Sequence, residues 1–495
     1  MTDISPAGSP EATSGLEPYT TAELPVPPNP QGVRGWIAAT GPGVILLGAS
    51  IGSGEFLLGP AVMVKHGFTL LWIAGVAITL QTIFNVEMMR YTLATGEPVL
   101  TGFMRTRPRA GFWAWFYVIL GFLQLGWPAW AGTAAGAIFF LFTKRLPEAT
   151  DANTVYFCGV AIYLVCFSIL LVGKRIERTL EVLNWILVTF IMLGLVLLVA
   201  VLVPPATWAR GAAGYVGFDP VSGGFNFKPA GADWFLLGAF AAFSGAGGFG
   251  NLALSNWARD KGYGMGKLAG FIAGAIGGEK SQLAHTGFRF DPTPEAMNRW
   301  RGWWRLVRAD QYVVFFVGAM LGMLMPALLY VTFVPQGSDI RGLGIAAALA
   351  HAINDARGPI FGGAIAIMSV WVLFKTQLDL FEGLVRQLTD MLWTGSSRIR
   401  SWRGGDVRVV YYGVLIVAVV WGLIALRMAQ PIFLLQIAAN VGGLTLAITA
   451  IHLLYINTRY LPVELRPSMP RRVGLVLLSI FYGAFVVMWL GGMIS

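Results

Sequence analysis

Charge is scarce in this chain. Asp, Glu, Lys and Arg make up 12% of its 495 residues and hydrophobic residues 56%, whereas soluble domains carry about 25% charged residues. That excludes a soluble enzyme or binding module of ordinary composition. Cysteine is nearly absent: Cys158 and Cys166 share one apolar run, and eight residues of helix separate them by roughly 12 Å, beyond disulfide reach. They read as packing residues. The four histidines, His66, His285, His351 and His452, lie scattered without the spacing of a metal-ligand motif. No phosphate-binding loop appears, and no nucleophile stands beside a base in a recognisable pattern. An enzyme and an ATP-driven pump therefore lack their sequence basis, no cofactor is implied, and any transport would draw on an ion or proton gradient.

Long apolar runs are what the chain does have. With a mean hydropathy of +0.66, it reads as an all-α polytopic membrane protein, because a helix needs about 20 apolar residues to cross roughly 30 Å of hydrocarbon. Eleven spans are expected, near 36–64, 68–94, 111–143, 154–173, 179–203, 233–258, 311–334, 359–393, 407–427, 431–457 and 472–494. Residues 1–34, rich in Pro, Ser, Thr and Glu, have the composition of a disordered, solvated tail. They do not form a signal peptide, because no basic start precedes an apolar core. The excess of basic residues reports loop bias rather than a nucleic-acid partner. With the tail inside, 24 of the 35 Lys and Arg fall in inner segments, eight in outer ones, and Arg90, Lys375 and Arg386 within spans. The N-terminus is thus expected in the cytoplasm and the C-terminus outside, in a plasma or inner membrane. The inner segment 259–310 is too polar for a span, and its Trp300-Arg301-Gly302-Trp303-Trp304-Arg305 stretch suits the headgroup level.

One stretch organises the rest. Gly48-Ala49-Ser50-Ile51-Gly52-Ser53-Gly54-Glu55-Phe56 puts a glycine-rich interruption and a carboxylate near the middle of the first span. Uncoiled backbone at membrane depth is tolerated only where protein or a watery cavity satisfies it, so the combination reads as a binding site. A second interruption, Phe243-Ser244-Gly245-Ala246-Gly247-Gly248-Phe249-Gly250-Asn251, lies five spans later. Five crossings end on the opposite side, so the two breaks mark two inverted halves, repeat one at 35–203 and repeat two at 233–457, with 472–494 as an added helix. A transporter with its site between spans one and six is the expectation. A channel need not break its spans in matched pairs, and a non-transporting sensor is the third class.

At these residues the chain resembles the amino acid/polyamine/organocation superfamily, and within it the Nramp metal transporters. Gly41-Pro42-Gly43 opens the first span, the break follows, Gly67-Phe68-Thr69-Leu70-Leu71-Trp72 starts the second span, and Thr95-Gly96 closes it. The resemblance implies a LeuT-like inverted repeat of 5+5 helices plus an eleventh, a small cation or solute as substrate, a lipid bilayer as surroundings and no obligate protein partner. The departures bear on substrate. Where Nramp proteins carry Asp-Pro-Gly-Asn, this chain has Gly52-Ser53-Gly54-Glu55; where they carry a methionine followed by Pro-His-Asn, it has Gly248-Phe249-Gly250-Asn251. Without the sulfur, a carboxylate with carbonyls and water suits a harder ion such as Mg²⁺ or Mn²⁺. The alternative is an amino acid or similar solute, its amine at Glu55 and its carboxylate at half-helix N-termini.

Individual residues admit two readings. Glu55 is either a cation ligand and proton acceptor or a protonated cap on uncoiled backbone, since a bare charge there costs at least about 2.5–3.5 kcal/mol. Gly52, Gly54, Gly245, Gly247 and Gly248 either expose backbone to a ligand or let helices pack closely. Asn251 is either a metal ligand or the N-cap of a half-helix. Gln436 and Asn440, at i and i+4 in span ten, serve a ligand or pin helices, and Gln124 in span three is a weaker candidate. Lys375, Asp379, Glu382 and Arg386 form one stripe on span eight, either a self-neutralising ladder on a helix that projects from the bilayer, with Lys375 snorkelling, or an ion path. Glu87 and Arg90, at i and i+3, read as a structural pair or a gate latch.

Overall fold

The computed structural model describes residues 15–494 except 173–174, 230, 277–282, 339, 341–344, 403–404 and 429. Ten of its helices are long and apolar enough to cross a membrane: Pro42–His66, Phe68–Thr95, Ala110–Thr143, Ala149–Leu170, Ile176–Leu202, Pro294–Phe333, Pro359–Gly395, Val407–Ala425, Pro431–Arg459 and Met469–Gly492. An eleventh is divided into Trp234–Phe243 and Phe249–Lys261. In chain order these are spans one to eleven, with the divided helix sixth. The chain is an all-α membrane-spanning protein.

Burial sorts the spans. The whole apolar window of span one lies inside the protein, against 28% of that of span eleven and 33% of span four, so span one is the axis. Spans five to eight pack around it. Glycine and proline set the ends: span two stops at Gly96, left-handed at φ 72, and span eight starts with Pro359 after Gly358 at φ 93. Both follow the preference for glycine just past a helix and proline at its first position. Span three breaks at Gly126–Pro128, an interruption the apolar pattern conceals.

Three expectations change. The first span does not uncoil: it runs through a π-helical segment, Ile51–Leu58, whose i→i+5 turns absorb the irregularity while every residue stays helical. The expected solvated tail is, from Gly15 on, laid along the body, and residues 1–14 lie outside the described residues. Thr20 and Thr21 pair in parallel with Phe288 and Arg289, Leu24 is fully buried, and the Trp303 indole donates to the Pro25 carbonyl at 2.7 Å. Polar composition suggested solvent, but the strap finds partners some 270 residues away. Finally, the Trp/Arg stretch extends span seven. Trp300 and Trp303 are buried in protein rather than set among headgroups, and the Arg90 and Arg471 guanidinium groups lie over the Trp304 ring.

Candidate functional site

The break in span six is built from glycines that no other residue replaces cheaply. Gly245, Gly247 and Gly248 have φ of 109°, 64° and 59°, conformations that cost an L-residue roughly 1–2 kcal/mol. Space forbids a side chain as well: a Cβ on Gly248 would stand 2.5 Å from Gln124 Oε1 and 2.8 Å from the Gly442 carbonyl. The freed backbone is satisfied by two glutamines from neighbouring spans, as membrane depth demands. Gln81 Nε2 donates to the Ala242 and Ser244 carbonyls at 3.1 and 2.9 Å, and its Oε1 accepts from the Gly247 amide at 3.3 Å. Gln124 Oε1 accepts from the Phe249 amide at 3.0 Å, and its Nε2 donates to the Gly247 carbonyl. Gln124 thus braces the break, and so does Gln81, which the sequence reading missed. Its signal was a pair of amides, Gln81 and Asn85, at i and i+4 in an otherwise apolar span.

The glycines of span one do something else. A Cβ on Gly52 would meet Thr376 Oγ1 at 2.4 Å, and one on Gly54 the Phe243 carbonyl at 1.9 Å. Both exist for close approach, Gly52 to span eight and Gly54 to the end of the first half of span six, and neither opens its backbone through a left-handed turn. Thr376 fits into the resulting contact, accepting from the Gly52 amide at 3.1 Å and donating to the Gly48 carbonyl at 2.9 Å. Ser53 Oγ accepts from the Trp130 indole at 2.9 Å. The π-helical segment is therefore gripped on two sides, and Glu55 lies within it.

Glu55 is fully buried, and neither carboxylate oxygen has a hydrogen-bond partner among the described residues. The Ser50 hydroxyl, the Gly245 amide and the Lys375 ammonium lie within electrostatic reach, but none meets hydrogen-bond geometry. Asn251 sits inside the first turn of the second half of span six, whose N-cap is Gly248, so the expected cap is not formed. Its Nδ2 donates to Asn85 Oδ1 at 2.9 Å, while Asn251 Oδ1 and Asn85 Nδ2 remain buried without partners. Asn85 of span two was not foreseen.

Span ten separates its two amides. Asn440 donates to the Phe235 and Gln436 carbonyls, both at 2.9 Å, and Gly238 makes room for it, so it pins span ten to span six and is not brought to Glu55. Gln436 is buried with an unpartnered Nε2. Among the described residues no hydrogen bond joins it to Glu55 or Asn251.

The stripe on span eight is buried rather than projecting. It splits into two i, i+4 pairs that face different neighbours. Lys375 binds Asp379 at 2.8 Å, and Asn184 of span five holds Asp379 at 2.9 Å; Lys375 Nζ lies where a Cβ on Gly48 would be, so it packs against span one instead of snorkelling. Arg386 binds Glu382 and Asp260, and the cluster continues through Arg259 to Asp390 at 2.9 Å. That second group locks span eight to the second half of span six. Glu87 and Arg90 pair at 2.7 Å, with Arg471 on Glu87 at 3.3 Å and the Leu465 carbonyl on Arg90 at 2.8 Å. Their bonds tie span two to the start of span eleven.

The sequence matches no protein-family model and no curated protein. Solved structures do match in shape. A histidine-to-alanine and a glutamate-to-glutamine mutant of the Eremococcus coleocola manganese transporter each superpose with a TM-score of 0.62 at 13% identity, over 95% of this chain and 89% of theirs. The same transporter in complex with an aromatic bis-isothiourea substituted compound gives 0.59 at 13% identity, over 97% of this chain and 92% of that one. This chain is an integral membrane protein with the fold found in those manganese transporters.

Proposed function

We propose that the chain is a secondary active transporter on an Nramp-like framework, carrying a hard divalent cation of the Mg²⁺ or Mn²⁺ class in exchange with protons at Glu55. The observation that carries this reading is the Glu55 carboxylate, fully buried beside the broken sixth span with both oxygens unpartnered. A carboxylate so placed is stable only with a proton or a cation, and competition between the two couples their movement. Among the described residues no three His, Cys, Asp or Glu side chains converge. Glu55 would therefore act with the Asn251 amide oxygen, backbone carbonyls of the break and retained water, a set suited to a hydrated hard ion. The two halves work as an inverted repeat, with a cytoplasmic N-terminus and an external C-terminus in a plasma or inner membrane.

The same break argues against an amino-acid cargo. A substrate carboxylate would need free amides at the start of the second half-helix, and two amides at the break are already held, Gly247 by Gln81 and Phe249 by Gln124. Flux into liposomes holding the purified chain, compared for Mn²⁺, Mg²⁺ and amino acids, tests the reading. Cation flux with no amino-acid flux is expected, and the reverse would overturn it.

A further inference from the structure

Span five opens with two carboxylates one helical turn apart, and only one is committed. Glu181 accepts from Lys261 Nζ at 2.6 Å and from Arg178 at 2.7 Å. Glu177 is 2% exposed, and its Oε1 has no hydrogen-bond partner among the described residues. Both acids line a cavity of about 880 Å³, with Arg175, Arg178 and Lys261 as its charged wall and Ile169, Val182 and Ile186 as its apolar one. The start of span one closes the inner side: a Cβ on Gly41 would stand 2.8 Å from Lys261 Nζ and 2.9 Å from Glu181 Cδ, and the Gly41 amide donates to Asp310 of span seven at 3.0 Å. The Lys261–Glu181 pair is thus wedged between span one, span five and the end of span six, with the open cavity on its far side.

A buried carboxyl with one oxygen unpartnered and the Glu181 carboxyl beside it needs a counter-charge or a proton. Its place in the first turn of a helix offsets only a small part of that need. The nearby cations are engaged elsewhere: Lys261 is bound to Glu181, the Arg178 side chain is 57% exposed, and the Arg175 guanidinium stacks on Phe271 at 4.0 Å. What Glu177 does face is volume sufficient for a hydrated ion.

We propose that Glu177, together with Glu181, forms a second cation site at the cytoplasmic mouth, taking the same hard divalent class as Glu55, with Lys261 as its tethered competitor. This rests on the cation-transport reading. While the path is closed, the Lys261 ammonium occupies Glu181. When span one swings away the ammonium is released, both carboxylates face the cavity, and an ion leaving the centre is received there before it reaches water. Cation occupancy and the closed latch exclude each other, so the site weakens again when Lys261 returns.

Manganese binding to the purified full-length chain, counted by electron paramagnetic resonance with Mn²⁺ alone as probe, tests this. Wild type should show two classes of bound Mn²⁺. Glu177→Gln should abolish one and Glu55→Gln the other, and Glu177→Asp should retain both. Lys261→Ala should tighten the Glu177-dependent class at least tenfold. Two unchanged classes in Glu177→Gln, with a monodisperse and normally stable protein, would overturn the proposal and leave the Glu55 reading standing. Wild type that binds no Mn²⁺ would overturn both. Should Glu177→Gln fail to fold, unchanged affinity in Lys261→Ala would overturn it instead.

Discussion

Replacing Gln81 with leucine keeps the volume and removes every polar bond that the side chain makes to the break in span six. Two carbonyls, of Ala242 and Ser244, lose their donor, and the Gly247 amide loses its acceptor. A buried polar group left unsatisfied costs about 1–3 kcal/mol. Local relaxation recovers part of that, since hydrogen bonds measured inside membrane bundles average only about 0.6 kcal/mol. The expected loss for Gln81→Leu is therefore about 3–5 kcal/mol. Gln124→Leu strips two groups, the Phe249 amide and the Gly247 carbonyl, and should cost about 2–3 kcal/mol. Thermal unfolding of the detergent-purified chain, followed by loss of the monodisperse species, measures both. A Gln81→Leu protein within about 1 kcal/mol of wild type would refute the idea that this amide, rather than water or local rearrangement, supports the broken helix.

Further outcomes follow from the packing. Gly248→Ala should lose more than about 2 kcal/mol, because left-handed backbone strain adds to the contact with Gln124 and Gly442. Gly413→Ala, in span nine with open space around its Cβ position, should gain about 0.5–1 kcal/mol in the same melts. Lys375→Ala or Asp379→Ala alone should cost about 3–5 kcal/mol by leaving one buried charge bare. The double substitution should cost less than either, and strict additivity of the two would contradict a direct pair.

Span number and placement were legible because membrane crossing demands long apolar runs, and few other constraints write so plainly. The break in span six was legible too, since its glycines adopt backbone that other residues avoid. The identical signal in span one misled: Gly52 and Gly54 are small because Thr376 and the Phe243 carbonyl press against them, and a glycine kept for packing reads the same as one kept for uncoiling. Glu55 stood out as a lone carboxylate, but Gln81 and Asn85 were passed over although they stand at i and i+4 on span two, the spacing that marked Gln436 and Asn440; the spacing gives a shared face and does not say that this face meets the break in span six. The alternating charges of span eight were legible as two i, i+4 pairs. Whether those pairs met water or protein depended on spans one, five and six, which sequence spacing on span eight does not encode. The strap failed for a related reason, since Tyr19 reaches Tyr91 and Arg105 through contacts that no local pattern announces.

The central claim is that Glu55 binds the cargo and the coupling proton in turn. Mn²⁺ uptake into liposomes across a pH gradient, compared for wild type and Glu55→Gln at matched amounts of folded protein, tests it most directly. Glutamine keeps the shape and removes the charge, so uptake should fall at least tenfold and what remains should lose its dependence on pH. Uptake and pH dependence equal to wild type in Glu55→Gln would contradict the account.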